Sequence, residues 1–238
     1  AKTLTFTLDT TVQAPTLSFT DTGKSASDGI TNNGTILFTN LESGAASTWV
    51  YSLNGGAWSA PQSANSGQID LTASGDYVVK VQQVDAAGNQ SQERVISMKL
   101  DKVAPSLTMG RVSGDGVLST QEAQQDLVIT GTTNAEFGQS VSIQFANKLT
   151  PSTVLKTYTG QVTGSTWTVT IPASEVSALS ADITYLVKAS VSDLAGNTTT
   201  LDAQQLALAV TNSGLDGYIT GAVIFVDEDS DGLLTAGE

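Results

Sequence analysis

The sequence predicts an all-β protein built from tandem antiparallel sandwiches. Three observations carry this: short runs in which apolar and polar residues alternate, Gly, Asn, Asp and Ser turn signals between those runs, and an internal repeat close to 100 residues long. Helical periodicity is scarce. At 238 residues the chain is long enough for two domains of ordinary size, each with a real core.

The repeat sets the domain boundaries. Leu8-Asp9 followed by Ala14-Pro15 returns as Leu100-Asp101 followed by Ala104-Pro105, and Asp101 lies 92 positions after Asp9. Each pair ends an alternating segment, LTFTLD or VISMKLD, and so reads as a strand running out into a linker. A second echo is Val84-Asp85-Ala86-Ala87-Gly88-Asn89, which returns 108 positions on as Asp193-Leu194-Ala195-Gly196-Asn197. Both copies follow a long β-patterned run, DYVVKVQQV or ITYLVKASV. The reading is two modules, 9–100 and 101–212, with 1–8 as the last strand of a preceding module or an N-terminal extension and 213–238 as the start of a third.

Within the first module the expected strands are TLSF, TILFTN, STWVYSL, AWS, GQIDL, DYVVKVQQV and RVISMKL. The Asn54-Gly55-Gly56 turn closes the hairpin after STWVYSL, because both of its central residues tolerate positive φ. The second module repeats the pattern with SLTM, DLVITGT, SVSIQF, VLKTYTG, STWTVTI, ITYLVKASV and a final strand near TLDAQQLALAV. Only PASEVSALSA reads as a short helical turn.

Composition narrows the chemistry. Ten Lys plus Arg against 23 Asp plus Glu gives a formal charge of −13, which repels nucleic-acid phosphate and anionic lipid and attracts small cations. The absence of His and Cys removes the commonest general base, the thiolate nucleophile, disulfides and nearly every zinc, copper or haem site. What remains is oxygen chemistry, in an acidic, Cys-free composition common among secreted bacterial proteins. The longest apolar stretch, GAVIFV, is too short to span a bilayer. The opening AKTLTFTLDT alternates like a strand and lacks the basic and apolar regions of a signal peptide, so the sequence reads as part of something longer.

These motifs carry a resemblance. With DTG and SDGITN near its start, STWVYSLNGGAW in the middle and VDAAGN before the last strand, the first module resembles the bacterial Ig-like repeats of giant RTX-type adhesins. Those are type I-secreted biofilm adhesins of Gram-negative bacteria. The second module, with GDGVLSTQEA and VSDLAGN, is similar to a sister class from the same adhesins. The resemblance spans roughly residues 9–212. It implies immunoglobulin-like β-sandwich modules in an extended, extracellular stalk at the bacterial cell surface, made rigid by calcium at the module junctions.

The last twelve residues, DEDSDGLLTAGE, have the spacing of a calcium loop. Calcium takes six to eight oxygen ligands, and the pattern supplies them at loop positions one, three, five, seven, nine and twelve. Asp227, Asp229 and Asp231 offer side-chain oxygens, Leu233 its carbonyl, Thr235 a hydroxyl or a bridging water, and Glu238 a bidentate carboxylate. Gly232 makes the turn. The preceding YITGAVIFV is β-patterned, so the loop does not belong to a paired-helix sensor. Asp115, Gly116 and Glu122 reproduce the fifth, sixth and twelfth positions, but Arg111 and Ser113 occupy the first and third. That segment is either a partial site or a turn with a surface carboxylate.

Immunoglobulin topology places the other acids. The loop after the first strand should lie beside the next module, and the loop before the last strand beside the previous one. Asp28 is therefore expected near Asp101 and the Asp193 to Asn197 loop, Asp9 near Asp85 and Asn89, and Asp115 with Glu122 toward Asp216. Carboxylates gathered without a counter-ion raise one another's pKa values and weaken the junction, which favours Ca²⁺ as the cofactor. Each Asp-X-Ala-Gly-Asn copy also makes sense as an Asx-type turn, and the two readings are compatible.

Trp49, Tyr51, Trp58 and Trp167 could form a sugar-stacking platform. However, Trp49 and Tyr51 share one face of an alternating strand, and Trp58 can pack back across the sheet, so all four are expected in the core. The function expected is a non-catalytic stalk whose partners are neighbouring repeats of the same chain, in a monomer without nucleic-acid contact or membrane insertion. The alternative is a ligand-binding module for carbohydrate or protein.

Overall fold

Residues 3, 5, 7–43, 46–63 and 67–209 are described by a computed structural model. The first sandwich has eight strands: β1 Thr16–Phe19, β2 Ile30–Thr31, β3 Thr35–Thr39, β4 Thr48–Leu53, β5 Gln62–Ser63, β6 Gln68–Asp70, β7 Gly75–Val84 and β8 Arg94–Leu100. They form two sheets, β1-β3-β6 and β2-β8-β7-β4-β5. All pairs are antiparallel except the short β2, which runs parallel to β8 with Ile30 opposite Lys99. Alternation drives the assembly: Val79 and Val81 of β7 and Met98 and Leu100 of β8 point inward and are buried, while Val78 and Val95 face solvent.

Trp49 sits in this core, only 2% exposed. Its ring meets Phe38 edge-on at 4.9 Å, and its Nε1–H donates to the Ser63 carbonyl at 2.9 Å. The expected Asn-Gly turn is present, with Asn54 at φ 49° and Gly55 at φ 71°. The segment after it does not become the expected AWS strand. Ser59 N–H bonds the Tyr51 carbonyl and Ser59 Oγ accepts from Tyr51 N–H, which pins the chain without a ladder. Trp58 therefore remains 41% exposed and does not pack fully back across the sheet.

The second sandwich contains β9 Val117–Leu118, β10 Leu127–Thr132, β11 Ser140–Asn147, β12 Thr150–Thr163, β13 Thr166–Ile171, β14 Tyr185–Ser192, β15 Thr198–Thr200 and β16 Gln204–Leu208. A 3-10 turn spans Glu122–Gln124, and a single helical turn, α1 Ala173–Val176, falls where PASEVSALSA predicts one. The strand order is β10-β13-β12-β11-β14-β16-β9, with β15 on β14. The expected strand VLKTYTG is much longer. β12 pairs with β11, bends across register shifts at Phe145/Ala146 and Ala146/Asn147, and then passes to β13 at Val162 and Thr163. One strand thus links the two layers.

Trp167 is fully buried and lies opposite Gly131, where a Cβ would come within 2.6 Å of the indole ring. Expected SLTM shrinks to one bridge between Leu107 and Thr133, and the final strand divides into β15 and β16. The described residues of 1–8, expected as a strand, are not in one.

Two separate cores result, one between Leu17 and Leu100 and the other between Leu107 and Leu208. Because β1 and β3 are antiparallel, the β3–β4 and β7–β8 loops meet the incoming chain at the N-proximal end of the first sandwich. The segment between β1 and β2 is carried to the opposite, C-proximal end. The 133–139 and 193–197 loops hold the corresponding N-proximal positions in the second sandwich.

Candidate metal centre

At the N-proximal end of the first sandwich, carboxylate oxygens of Asp9, Glu42 and Asp85 all lie within 4.8 Å of one another. They come from the incoming chain, the β3–β4 loop and the β7–β8 loop. Gln83, the last inward residue of β7, organises the middle loop. Its buried amide donates to the Asn40 carbonyl at 3.0 Å and its Oε1 accepts from Glu42 N–H at 2.9 Å. Burial of a hydrogen-bonded amide in this way fixes the loop backbone without exposing an unpaired polar group.

Asp85 is held by its own turn. Asn89 N–H donates to Asp85 Oδ1 at 2.8 Å, and Asn89 Nδ2 donates to Asp85 Oδ2 at 2.7 Å and to the Asp9 carbonyl at 3.2 Å. Gly88 occupies φ +91°, where a side chain is strained. Burial pushes the Asp85 carboxyl up, since the residue is only 3% exposed, but the Asn89 side chain and the N–H groups of Asn89, Ala87 and Gly88 outweigh it. The net result is a carboxyl below its ordinary range, ionised and oriented. Three oxygen donors from separate segments, one of them prepared as an anion, fit a hard cation such as calcium. Asp9 is exposed, which leaves room for water in the remaining positions.

The second sandwich repeats the hydrogen bonds of this turn, although among the described residues Asp101, Glu136 and Asp193 do not bring their carboxylates together as Asp9, Glu42 and Asp85 do. Asn197 N–H donates to Asp193 Oδ1 at 2.8 Å, and Asn197 Nδ2 donates to Asp193 Oδ2 and to the Asp101 carbonyl, both at 2.9 Å. Glu136 takes the loop position of Glu42, and its Oε2 accepts from Leu194 N–H at 3.1 Å. The first sandwich reaches this end directly: Thr22 Oγ1 donates to the Ala195 carbonyl at 2.6 Å and Lys24 Nζ to the Gly138 carbonyl at 3.3 Å. Beside them, Asp21 Oδ2 accepts from Gly29 N–H at 2.9 Å, whereas Asp21 Oδ1 is shielded from solvent without a hydrogen-bond partner among the described residues. An orphaned, shielded carboxylate oxygen at a junction is suited to a cation.

Sequence reasoning placed Asp28 at this junction, beside Asp101 and Asp193. Among the described residues these three do not form a carboxylate triplet. Asp28 Oδ1 instead accepts from Ile30 N–H at 3.0 Å, in an Asx turn that starts β2, and the earlier part of the same loop reaches the second sandwich. Asp115 does the same before β9, accepting from Val117 N–H at 2.8 Å. Asp28-Gly29-Ile30 and Asp115-Gly116-Val117 are thus equivalent starts of the two parallel edge strands. Glu122 turns back onto Ser119, whose hydroxyl and N–H donate to its Oε2 at 2.7 and 2.9 Å and hold its carboxyl below the ordinary range. Asp227, Asp229, Asp231, Leu233 and Glu238, with Asp216, lie outside the described residues.

Glu42, Glu136 and Asp21 escaped the sequence reading. The first two were reachable from topology, because the loop after the second long strand returns to the same end as the loop before the last. Only the spacing motifs drew attention to the other acids.

Residues 3–102 match the family model of the bacterial Ig-like domain. No curated protein matches the chain. Among solved structures, a Ca²⁺-stabilized adhesin with which an Antarctic bacterium binds ice is 21% identical, with 84% of this chain and 50% of that chain covered and a TM-score of 0.37. The chain therefore spans about half the length of that structure. A bacterial immunoglobulin-like domain from the M. primoryensis ice-binding adhesin is 22% identical, covering 44% of this chain and 96% of that one at a TM-score of 0.31. Fibronectin(III)-like modules of Clostridium thermocellum CbhA are 13% identical, with coverage of 82% and 94% and a TM-score of 0.46. No helix of the described residues is long and apolar enough to cross a membrane.

Proposed function

We propose that this chain is a non-catalytic stalk segment of a large bacterial surface adhesin, in which calcium at the module junctions stiffens a tandem array outside the cell. In this role it supports cell adhesion and biofilm formation. The observation that carries the reading is the meeting of Asp9, Glu42 and Asp85 within 4.8 Å at the N-proximal end of the first sandwich, where a preceding module would abut. The family match of residues 3–102 and the direct contact between the two sandwiches support it. Asp9, Glu42 and Asp85 would hold one ion. Asp21, Asp101, Glu136 and Asp193 are the corresponding acids of the next junction, and Asp115, Glu122 and the terminal loop carry the pattern toward a third module. Bound calcium supplies positive charge that offsets the repulsion among these carboxylates.

Charge balance favours a cation. The chain carries 13 more acids than bases. Among the described residues only Lys80–Glu93 and Lys156–Glu175 form salt bridges, so most of the described carboxylates have no basic partner. Extracellular calcium in the millimolar range saturates sites with dissociation constants of about 10⁻⁴ to 10⁻³ M. The test combines calcium stoichiometry by titration calorimetry, on wild type and Asp101→Ala, with small-angle scattering in calcium and in EDTA. Loss of heat in the variant and a shorter, broader distance distribution in EDTA are expected. An unchanged maximum dimension and no calcium heat would refute the reading.

A further inference from the structure

We infer that the Asp-X-Ala-Gly-Asn loop of each sandwich is a socket for a Thr-Gly knob, and that the open socket at 85–89 docks the knob of another module of the same kind. This rests on the stalk reading and deepens it by naming what a joint recognises apart from metal.

One such pair is closed within the chain. Gly23, at φ +90°, lies so near the second sandwich that a Cβ there would meet the Leu194 carbonyl oxygen at 1.9 Å. From the other side, a Cβ on Gly196, also at φ +90°, would come within 2.9 Å of Gly23 N and 3.0 Å of Gly23 Cα. Both backbones need glycine for that approach, and for the left-handed conformation each adopts. Thr22 Oγ1 adds the bond to the Ala195 carbonyl at 2.6 Å.

Each partner is also held by hydrogen bonds of its own. On the knob, Asn32 N–H donates to Thr22 Oγ1 at 2.8 Å, and the Thr22 and Thr31 hydroxyls are 3.0 Å apart. In the socket, Asp193 N–H bonds the Asn197 carbonyl at 3.0 Å and Asn197 N–H bonds Asp193 Oδ1 at 2.8 Å. The open loop repeats this, with Asp85 N–H to the Asn89 carbonyl at 3.1 Å and Asn89 N–H to Asp85 Oδ1 at 2.8 Å. Its glycine, Gly88, holds φ +91° but has nothing within 4 Å of its Cβ direction among the described residues. A surface that keeps its bound shape when empty loses little freedom on docking. The Thr22–Gly23 contact itself is made of a hydroxyl, backbone carbonyls and glycine, with no carboxylate, so it needs no cation.

The test extends the full chain with a second copy of residues 9–100 placed ahead of Asp9 and follows amide exchange at Gly88. Docking should slow that exchange by about tenfold or more. Gly23→Ala in the added copy should return it to the rate of the original chain. Gly29→Ala in the added copy should not, because Gly29 has the same left-handed backbone, φ +77°, with nothing within 4 Å. Gly196 in the original chain is the filled reference, and Gly23→Ala there should speed its exchange. Unaltered Gly88 exchange on adding the copy, or equal loss from the two alanine variants, overturns the socket. Repeating the series in EDTA separates the readings. Protection at Gly88 that survives chelation upholds the socket whatever calcium does to bending, and protection that vanishes with calcium overturns the socket while leaving the metal joint standing.

Discussion

Glu42→Gln tests the metal centre most directly, because it removes one charge from the Asp9, Glu42 and Asp85 cluster while leaving the loop intact. The loop is held through the Glu42 backbone N–H and Gln83, which the substitution does not touch. As a calcium site, three protein carboxylates with one of them exposed would belong to the weak, extracellular class, with a dissociation constant of about 0.1 mM. At about 2 mM calcium, linkage then stabilises the folded sandwich by RT ln(1 + [Ca]/Kd), about 1.8 kcal/mol. For a domain of this size that is a rise in melting temperature of about 7–14 °C over the EDTA value. Loss of one ligand charge weakens binding about tenfold, which lowers the gain to about 0.7 kcal/mol, or about 3–5 °C. In EDTA the sign reverses: the variant has fewer like charges in contact and should melt at or above the wild-type temperature. Differential scanning calorimetry of both proteins in calcium and in EDTA measures all four values. The same calcium-dependent shift in wild type and variant would refute the site.

Other substitutions separate core, joint and surface. Trp49→Ala removes a buried indole, its contact with Phe38 and its bond to Ser63, and should cost about 3–5 kcal/mol, whereas Trp58→Ala should cost under about 1 kcal/mol by denaturant unfolding. Asn197→Ala deletes the amide that joins Asp193 to the Asp101 carbonyl, so it should destabilise the second sandwich by about 1–3 kcal/mol and speed amide exchange in the linker. Asp85 has a folded-state carboxyl below its ordinary value of 3.8, so its contribution is present above that pH and lost as pH falls through the lower, folded value. Urea midpoints measured downward from about pH 5 should fall less steeply in Asp85→Asn than in wild type, and equal slopes would show that Asp85 adds nothing to acid sensitivity.

Much of the fold was legible because alternation and turn chemistry are local. DYVVKVQQV announces β7 by its period of two, and Asn54-Gly55 announces a tight turn because both residues accept positive φ. The departures arise where long-range pairing decides. β12 outgrows VLKTYTG because β11 offers it a partner along most of its length and β13 takes over at its end. SLTM dwindles because it finds only the bridge to Thr133. The same split governs the site. Asp9, Asp85 and Asn89 belong to repeated motifs that topology brings together. Glu42 belongs to no motif and enters only through the path of the chain, and Asp21 was passed over for Asp28, seven residues further along the same loop.

The location of the acids decides what calcium can change. No described residue of 7–15 is in a strand, and the incoming chain is tied to the first sandwich by side-chain amides. Asn89 reaches the Asp9 carbonyl, Gln83 the Gln13 carbonyl, and Asn40 both Gln13 Oε1 and the Ala14 carbonyl. A cation shared by Asp9, Glu42 and Asp85 would add a charged tie at the linker, whereas the cores behind it already hold themselves by burial. Its effect should therefore be angular before it is thermal. Strand β7, ten residues long, spans about 33 Å, so a tilt of about 10° at the linker moves the far end of one sandwich by about 6 Å. That displacement accumulates with every further module. Residual dipolar couplings, which report the orientation of one sandwich against the next, should consequently make half of their full change at about 0.1 mM calcium, where linkage has contributed only RT ln 2, about 0.4 kcal/mol. A melting shift with no change in orientation at any calcium concentration would place the ion inside a sandwich and not at its joint.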